Sequence, residues 1–341
     1  MRKVRWGLLV TGGYADVAMK AKATSRTTEF VAVAQDDAAA AAAYAETFDV
    51  PRSYGSRAEL LADEEVEAVF VALDPVDHAE WAVRALEAGK HVLVEKPLAL
   101  SAADTERVFD AAEAAGRICA EGVMFRHHPQ HLMAKRLVDE GLIGELRYVY
   151  AACTATLPDD YFRRFPERGG GGMLDLGVFT LAAIRMYAGT PERVYAEEVR
   201  RAGAADHNFA ASLRLPGDVL AQFEVGQEVC RGDALHLVGT TGRLVLDDPW
   251  FCRDVKSVEL QRQGPPPHAD PVSEYLPVDE EGAYRCDEPY AVSRLQFDAV
   301  STAIATGQAP PYGRRDAVEQ ARVIEALFES GAKSVPVHPL S

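Results

Sequence analysis

From residue 4 to about 124, short apolar runs alternate with helical stretches. Val4 to Val10, Glu29 to Gln35, Val66 to Leu73, His91 to Glu95 and Ile118 to Met124 are brief and mostly apolar, as strands covered on both faces read. Between them, Asp36 to Phe48 is alanine-rich, while His78 to Ala88 and Ala102 to Ala115 place apolar residues three and four apart. That spacing predicts helices, with Gly89 and Gly116 as their stops. The alternation predicts an α/β domain over residues 1–124, a doubly wound parallel sheet of the Rossmann type.

After residue 125 the rhythm changes. His128 to Glu140 and Met173 to Tyr187 read as helices; Val194 to Arg201, Asn208 to Leu215, Val219 to Val229, Leu235 to Val238 and Leu244 to Leu246 read as strands. Several of these alternate in polarity and meet at turn signals, Pro216-Gly217-Asp218 and Gly239-Thr240-Thr241-Gly242. A second α/β domain, residues 125–341, is therefore expected on a largely antiparallel open sheet, one face against helices and the other available to a partner subunit. Residues 264 to 285, with three consecutive prolines, read as an irregular loop, and helices over 287–306 and 314–331 close the chain.

Composition narrows the partners. A chain of 341 residues suits two domains, each able to bury its own core. Lys plus Arg total 36 against 52 Asp plus Glu, a formal charge of −16 that repels nucleic acid and anionic membranes. An anionic cofactor would then need local donors, such as backbone N–H groups at a helix start. Cys119, Cys153, Cys230, Cys252 and Cys286 are scattered and odd in number, which fits a reducing cytoplasm. The N-terminus runs directly into a strand pattern and no later run approaches about 18 apolar residues, so neither a signal peptide nor a membrane span is expected.

The first strand ends in Val10-Thr11-Gly12-Gly13-Tyr14-Ala15 and passes into a helix, where a dinucleotide fold carries its glycine fingerprint. Gly12 stands where backbone must approach a pyrophosphate and Ala15 suits close helix packing, but Val10 holds the place of the first glycine. Asp36, some twenty residues on, can accept hydrogen bonds from a ribose 2′-OH and would repel a 2′-phosphate, which favours NAD(H) over NADP(H). Asp36 and Asp37 serve equally well as caps of the following helix.

His91-Val92-Leu93-Val94-Glu95-Lys96-Pro97 sets a lysine at the carboxyl end of a parallel strand, where ligands collect in open α/β sheets. With Trp81 to Lys90 ahead of it, this segment resembles the glucose-fructose oxidoreductase, inositol dehydrogenase and MocA family. The likeness continues through Trp6-Gly7-Leu8-Leu9, Met124 to Pro129, Gly141 to Glu145, Gly169 to Gly177 and Val238 to Gly242. Within the family the chain is most similar to the dihydrodiol and xylose dehydrogenase branch and to deoxysugar ketoreductases. The resemblance implies hydride transfer between a nicotinamide and a sugar, cyclitol or related polyol or ketone. It implies catalytic roles for Lys96, bonded to the reacting oxygen, and for Asp175, the two facing one hole beside the nicotinamide. It places Thr11, Gly12, Gly13, Tyr14, Ala15, Asp36, Leu73, Asp74, Pro75, His78, Glu95 and Lys96 at the cofactor, and Arg126, His128, Arg163, Asp175 and Phe179 at the substrate. It also implies a homodimer or homotetramer. Arg163, Arg164 and Arg168 could together grip a carboxylate or a sugar-nucleotide phosphate, although solvation explains each singly. No metal is expected: His127, His128 and His131 are close, but no carboxylate or thiolate joins them at a ligand spacing.

Three positions depart from the family pattern. Phe179 stands where family enzymes carry a proton-transferring Tyr or His, Val10 replaces a glycine, and Ala72-Leu73-Asp74-Pro75 replaces Ala-Thr-Pro-Asn. A benzyl group transfers no proton, leaving Lys96, His128, Asp175 or a water to do so. These departures leave open a non-redox enzyme (a cyclase, lyase or isomerase) reusing the cleft, or an inactive family member.

Overall fold

A computed structural model describes residues 2–11, 14–201, 204–253, 257–264, 269–278 and 290–340. The chain divides into two compact units, Met1–Val123 with Ser293–Ala321, and Met124–Val292 with Arg322–Ser341. This differs from a single cut near residue 124, because a C-terminal segment returns to the first unit. Phe297 and Val300 pack there in the core of Trp6, Phe30 and Phe70, and the Trp6 indole N–H donates to Ser301 Oγ at 3.0 Å.

The first unit runs β1 (Val4–Val10), α1 (Tyr14–Ala21), β2 (Thr28–Ala34), α2 (Ala38–Thr47), β3 (Arg52–Tyr54), α3 (Arg57–Ala62), β4 (Ala68–Ala72), α4 (Pro75–Glu87), β5 (His91–Glu95), α5 (Ala102–Ala115) and β6 (Cys119–Gly122). Its strands are parallel, in the order β3-β2-β1-β4-β5-β6. The order reverses between β1 and β4, so the carboxyl ends of these strands open the crevice that binds ligands in doubly wound sheets. Along β1, Val4, Trp6, Leu8 and Val10 enter one core layer and Leu9 the other, which is why the segment reads as continuously apolar. Gly116, at φ 60°, ends α5 in the left-handed conformation that glycine adopts without a Cβ clash.

The second unit holds α6 (Pro129–Asp139), β7 (Leu146–Thr156), a π-helical turn at Met173–Gly177 leading into α7 (Val178–Ala188), then β8 (Arg193–Arg200), β9 (Asp206–Leu215), β10 (Val219–Gly226), β11 (Glu228–Gly239), β12 (Arg243–Leu246), β13 (Ser257–Gly264) and β14 (Ala269–Pro277). The sheet order is β14-β13-β12-β11-β7-β10-β9-β8, antiparallel throughout except for the β7–β10 pair. Two expectations change. β7, absent from the sequence reading, lies near the middle of the sheet, and 269–277 forms a strand where a loop was expected. Proline is tolerated in β14 because the strand is an edge, with one side free of ladder bonds. The three prolines at 265–267 lie outside the described residues. α7 is buried almost all round beneath the sheet, as its uniformly apolar sequence requires. Two helices, α8 (Ala291–Thr306) and α9 (Arg314–Lys333), close the chain. Among the described residues, no helix is long and apolar enough to cross a membrane.

Candidate active site

At the switch point of the first unit, Val10 is the last residue of β1, 1% exposed and packed in the core with Leu8 and Ala15. Its side chain is therefore part of that interior packing. Thr11 is exposed; its N–H donates to Ala72 O at 3.3 Å and its hydroxyl to Asp74 Oδ1 at 3.5 Å, tying the ends of β1 and β4 together. Gly12, Gly13 and the side chain of Tyr14 lie outside the described residues. At the end of β2 the roles of two aspartates separate. Asp37 caps α2, accepting from Ala40 N at 2.7 Å, while Asp36 is exposed and pairs with Arg57 Nη2 at 2.7 Å.

Leu73 and His78, expected at the cofactor, are interior residues here. Leu73 is 3% exposed in the core and His78 is fully enclosed. The His78 ring lies between two backbone carbonyls, Nε2 at 3.0 Å from Leu73 O and Nδ1 at 2.7 Å from Pro97 O, so it fastens the segment after β4 to the segment after β5. Pro75 sits at the first position of α4, where its missing N–H costs nothing. Lys96 follows β5 and is 5% exposed; Glu95 is buried and its Oε2 accepts from Lys96 N at 3.2 Å. The Lys96–Pro97 peptide is cis.

Asp175 belongs to the second unit and lies in the π-helical turn. One carboxylate oxygen accepts from Arg163 Nη1 at 2.9 Å and the other from Gln227 Nε2 at 3.1 Å. Arg163 and Asp175 are both buried. The glycines ahead of the turn permit this packing: a Cβ on Gly171, at φ 136°, would meet Asp206 Oδ1 at 2.3 Å, and Asp206 Oδ2 accepts from Met173 N at 2.7 Å.

Each of the three arginines has a partner within the second unit. Arg163 is committed to Asp175, and Arg164, also buried, bonds Asp159 Oδ1 at 3.0 Å and Gln227 O at 2.6 Å. Arg168 lies over the Phe162 ring, 5.0 Å from its centroid. His128 caps α6, its Nδ1 accepting from Gln130 N at 3.3 Å, and burial lowers its pKa to about 4, which removes it as a proton donor near neutrality. His131 is held between Tyr187 and Pro249, and Arg126 is buried with Nη2 at 3.4 Å from Ala182 O. Phe179 is 5% exposed and meets Phe125 edge-on at 6.2 Å, in an aromatic cluster with Trp250. The ring thus serves as a packing group at this position. Among the described residues, no three His, Cys, Asp or Glu side chains gather as a metal site. The sequence reading missed Arg57 and Gln227, which contact the two carboxylates it had selected.

Two family models match the chain: an oxidoreductase family with an NAD-binding Rossmann fold over residues 4–123, and a GFO/IDH/MocA C-terminal domain over residues 131–245. A D-xylose 1-dehydrogenase (NADP(+)) of Haloferax volcanii is 30% identical over 97% of this chain and 98% of its own length. Among solved structures, a 3-ketoreductase from Actinomadura kijaniata in complex with NADP and TDP-benzene is 29% identical, with a TM-score of 0.85 over 96% of this chain and 98% of that one. An aldose-aldose oxidoreductase from Caulobacter crescentus complexed with glycerol is 26% identical, with a TM-score of 0.86 over 99% of this chain and 100% of that one.

Proposed function

The chain belongs to the GFO/IDH/MocA oxidoreductase family, and from that premise we propose an NAD(P)-dependent dehydrogenase or ketoreductase acting on a sugar, cyclitol or related polyol. The observation that carries this reading is Lys96, a lysine 5% exposed at the carboxyl end of β5. The first unit has the strand order of nucleotide-binding folds, and it presents exposed polar groups, Thr11 and Asp36, where a dinucleotide would lie. These residues fit a nicotinamide cofactor, which when bound supplies or accepts the hydride. Lys96 donates a hydrogen bond to the reacting oxygen and stabilises developing alkoxide charge. Asp175, held by Arg163 and Gln227, accepts from substrate hydroxyls as a fixed anion. Phe179 contributes shape and exclusion of water; the proton moves through Lys96 or a water.

Taken by itself the exposed Asp36 carboxylate favours NAD(H), whereas the xylose dehydrogenase and the ketoreductase above are named with NADP. With the arginines at 163 and 164 engaged internally, an uncharged polyol suits the second unit better than a sugar nucleotide. Residues 1–123 and 293–321 are the cofactor-binding unit in this reading, and the remainder binds substrate and assembles. Exposed Val199, Leu220 and Val229 on the second sheet support a homodimer or homotetramer, and the free thiols Cys119, Cys153, Cys230 and Cys252 fit a reducing cytoplasm. Val10 and Phe179, both accommodated as packing residues, lend nothing to a non-redox alternative. Fluorescence titration with NADH and NADPH, joined to turnover against a panel of keto-sugars and polyols, tests the proposal. Binding together with cofactor-dependent conversion of one class is expected; absence of both refutes it.

A further inference from the structure

The geometry points to Arg57 as the residue that decides cofactor choice, making the chain accept NADPH as well as NADH despite the aspartate at the end of β2. This rests on the cofactor-binding reading above and deepens it. Asp36 alone would repel a 2′-phosphate, yet its carboxylate lies 2.7 Å from Arg57 Nη2 and enters the site as half of an ion pair.

The two partners differ in freedom. The Asp36 side chain is 72% exposed and the Arg57 side chain 9%. Arg57 is also steadied by Trp81, its Cζ 5.1 Å from the ring centroid, with Arg84 Cζ 4.7 Å from the same centroid. The guanidinium is therefore the fixed member, and Asp36 is the one able to swing into water when a phosphate arrives. Arg57 keeps an unused donor for that exchange: its Nε is enclosed and has no hydrogen-bond partner among the described residues. A planar guanidinium with one N–H committed and another unsatisfied matches the paired oxygens of a phosphate monoester. Asp77, in the first turn of α4, also lies within electrostatic reach of Arg57. Removing the guanidinium thus leaves two carboxylates uncompensated, penalising a dianionic phosphate far more than a ribose hydroxyl.

The test is equilibrium fluorescence titration of the purified full chain with NADH and with NADPH, on the native protein, Arg57→Ala, Arg57→Lys and Asp36→Asn, with melting curves to establish folding. In the native protein, dissociation constants within about 10-fold of each other are expected, and Arg57→Ala should weaken NADPH by about 10- to 100-fold and NADH by less than about threefold. Arg57→Lys should fall between, keeping the charge and losing the fork; it decides the matter should the alanine variant unfold. Asp36→Asn should tighten NADPH. Native binding of NADPH more than about 100-fold weaker than NADH, or equal weakening of both cofactors on losing Arg57, overturns the inference. Failure of the native chain to bind either cofactor overturns it together with the cofactor-binding reading, an outcome distinct from loss of discrimination alone.

Discussion

Arg163→Met removes half of a buried ion pair and leaves the Asp175 carboxylate without its guanidinium. The contact is 2.9 Å with both side chains nearly excluded from water, 7% and 5% exposed, so solvent cannot replace what is lost. Deleting one member of such a pair costs about 3–5 kcal/mol, whereas replacing both by apolar residues is often nearly neutral. At about 2–4 °C per kcal/mol for a unit of this size, the transition of the second unit should fall by roughly 6–20 °C. The sign of the double variant is the sharper test: Arg163→Met combined with Asp175→Leu should be more stable than Arg163→Met alone by at least about 2 kcal/mol. Urea unfolding of the two singles and the double, followed by tryptophan fluorescence, gives the coupling energy. A cost below about 1 kcal/mol for Arg163→Met, or strict additivity of the two changes, refutes the claim that the pair is buried and mutually dependent.

Stability should also depend on pH through histidine burial. His128 and His131 are pushed down to about 4 and about 3, chiefly by desolvation, against about 6.5 in an unfolded chain. The unfolded state therefore binds more protons across this window, so stability is fully present above about pH 6.5 and falls as pH drops toward 4, by about 3 kcal/mol for one such group. Urea midpoints at about pH 7.5 and about pH 5 check the sign, and a midpoint that rises on acidification contradicts it. Lys96→Met should lower kcat/KM by about 10²–10⁴ with the fold intact, and Lys96→Arg should not restore it; near-native turnover in either variant would remove Lys96 from the chemistry. Alkylation of the native protein followed by mass spectrometry should label exposed Cys230 and spare Cys119, which is buried with its thiol pushed up to about 12. Early labelling of Cys119 would show that its unit opens.

The first unit was legible because its strands are buried on both faces: Val4–Val10 and His91–Glu95 announce themselves as apolar runs, and Gly116 marks a helix end by a conformation other residues resist. Arg52–Tyr54 is three residues long, too short for any period to emerge. β7 was lost for another reason. Its sequence, Leu146-Arg147-Tyr148-Val149-Tyr150-Ala151-Ala152-Cys153-Thr154-Ala155-Thr156, passes from alternation to small residues over 151–154, where successive residues on both faces are buried, while β10 and β11 flank it along most of its length. Lys96 and Asp175 stood in motifs, but their neighbourhoods did not. Arg57 is 21 residues from Asp36 and Gln227 is 52 residues from Asp175, so only the folded chain brings them together. The same holds for His78, whose two carbonyl partners fasten separate strand ends and make an expected ligand contact an internal brace.

Transfer of deuterium from cofactor to product tests the central claim most directly. With nicotinamide deuterated at C4 on either face and the best substrate of the panel, reduction should place deuterium on the new carbinol carbon from one face alone, with the label's arrival collapsing in Lys96→Met. A product formed without the label, or formed at an unchanged rate with no reduced cofactor present, would contradict hydride transfer as the chemistry of this chain.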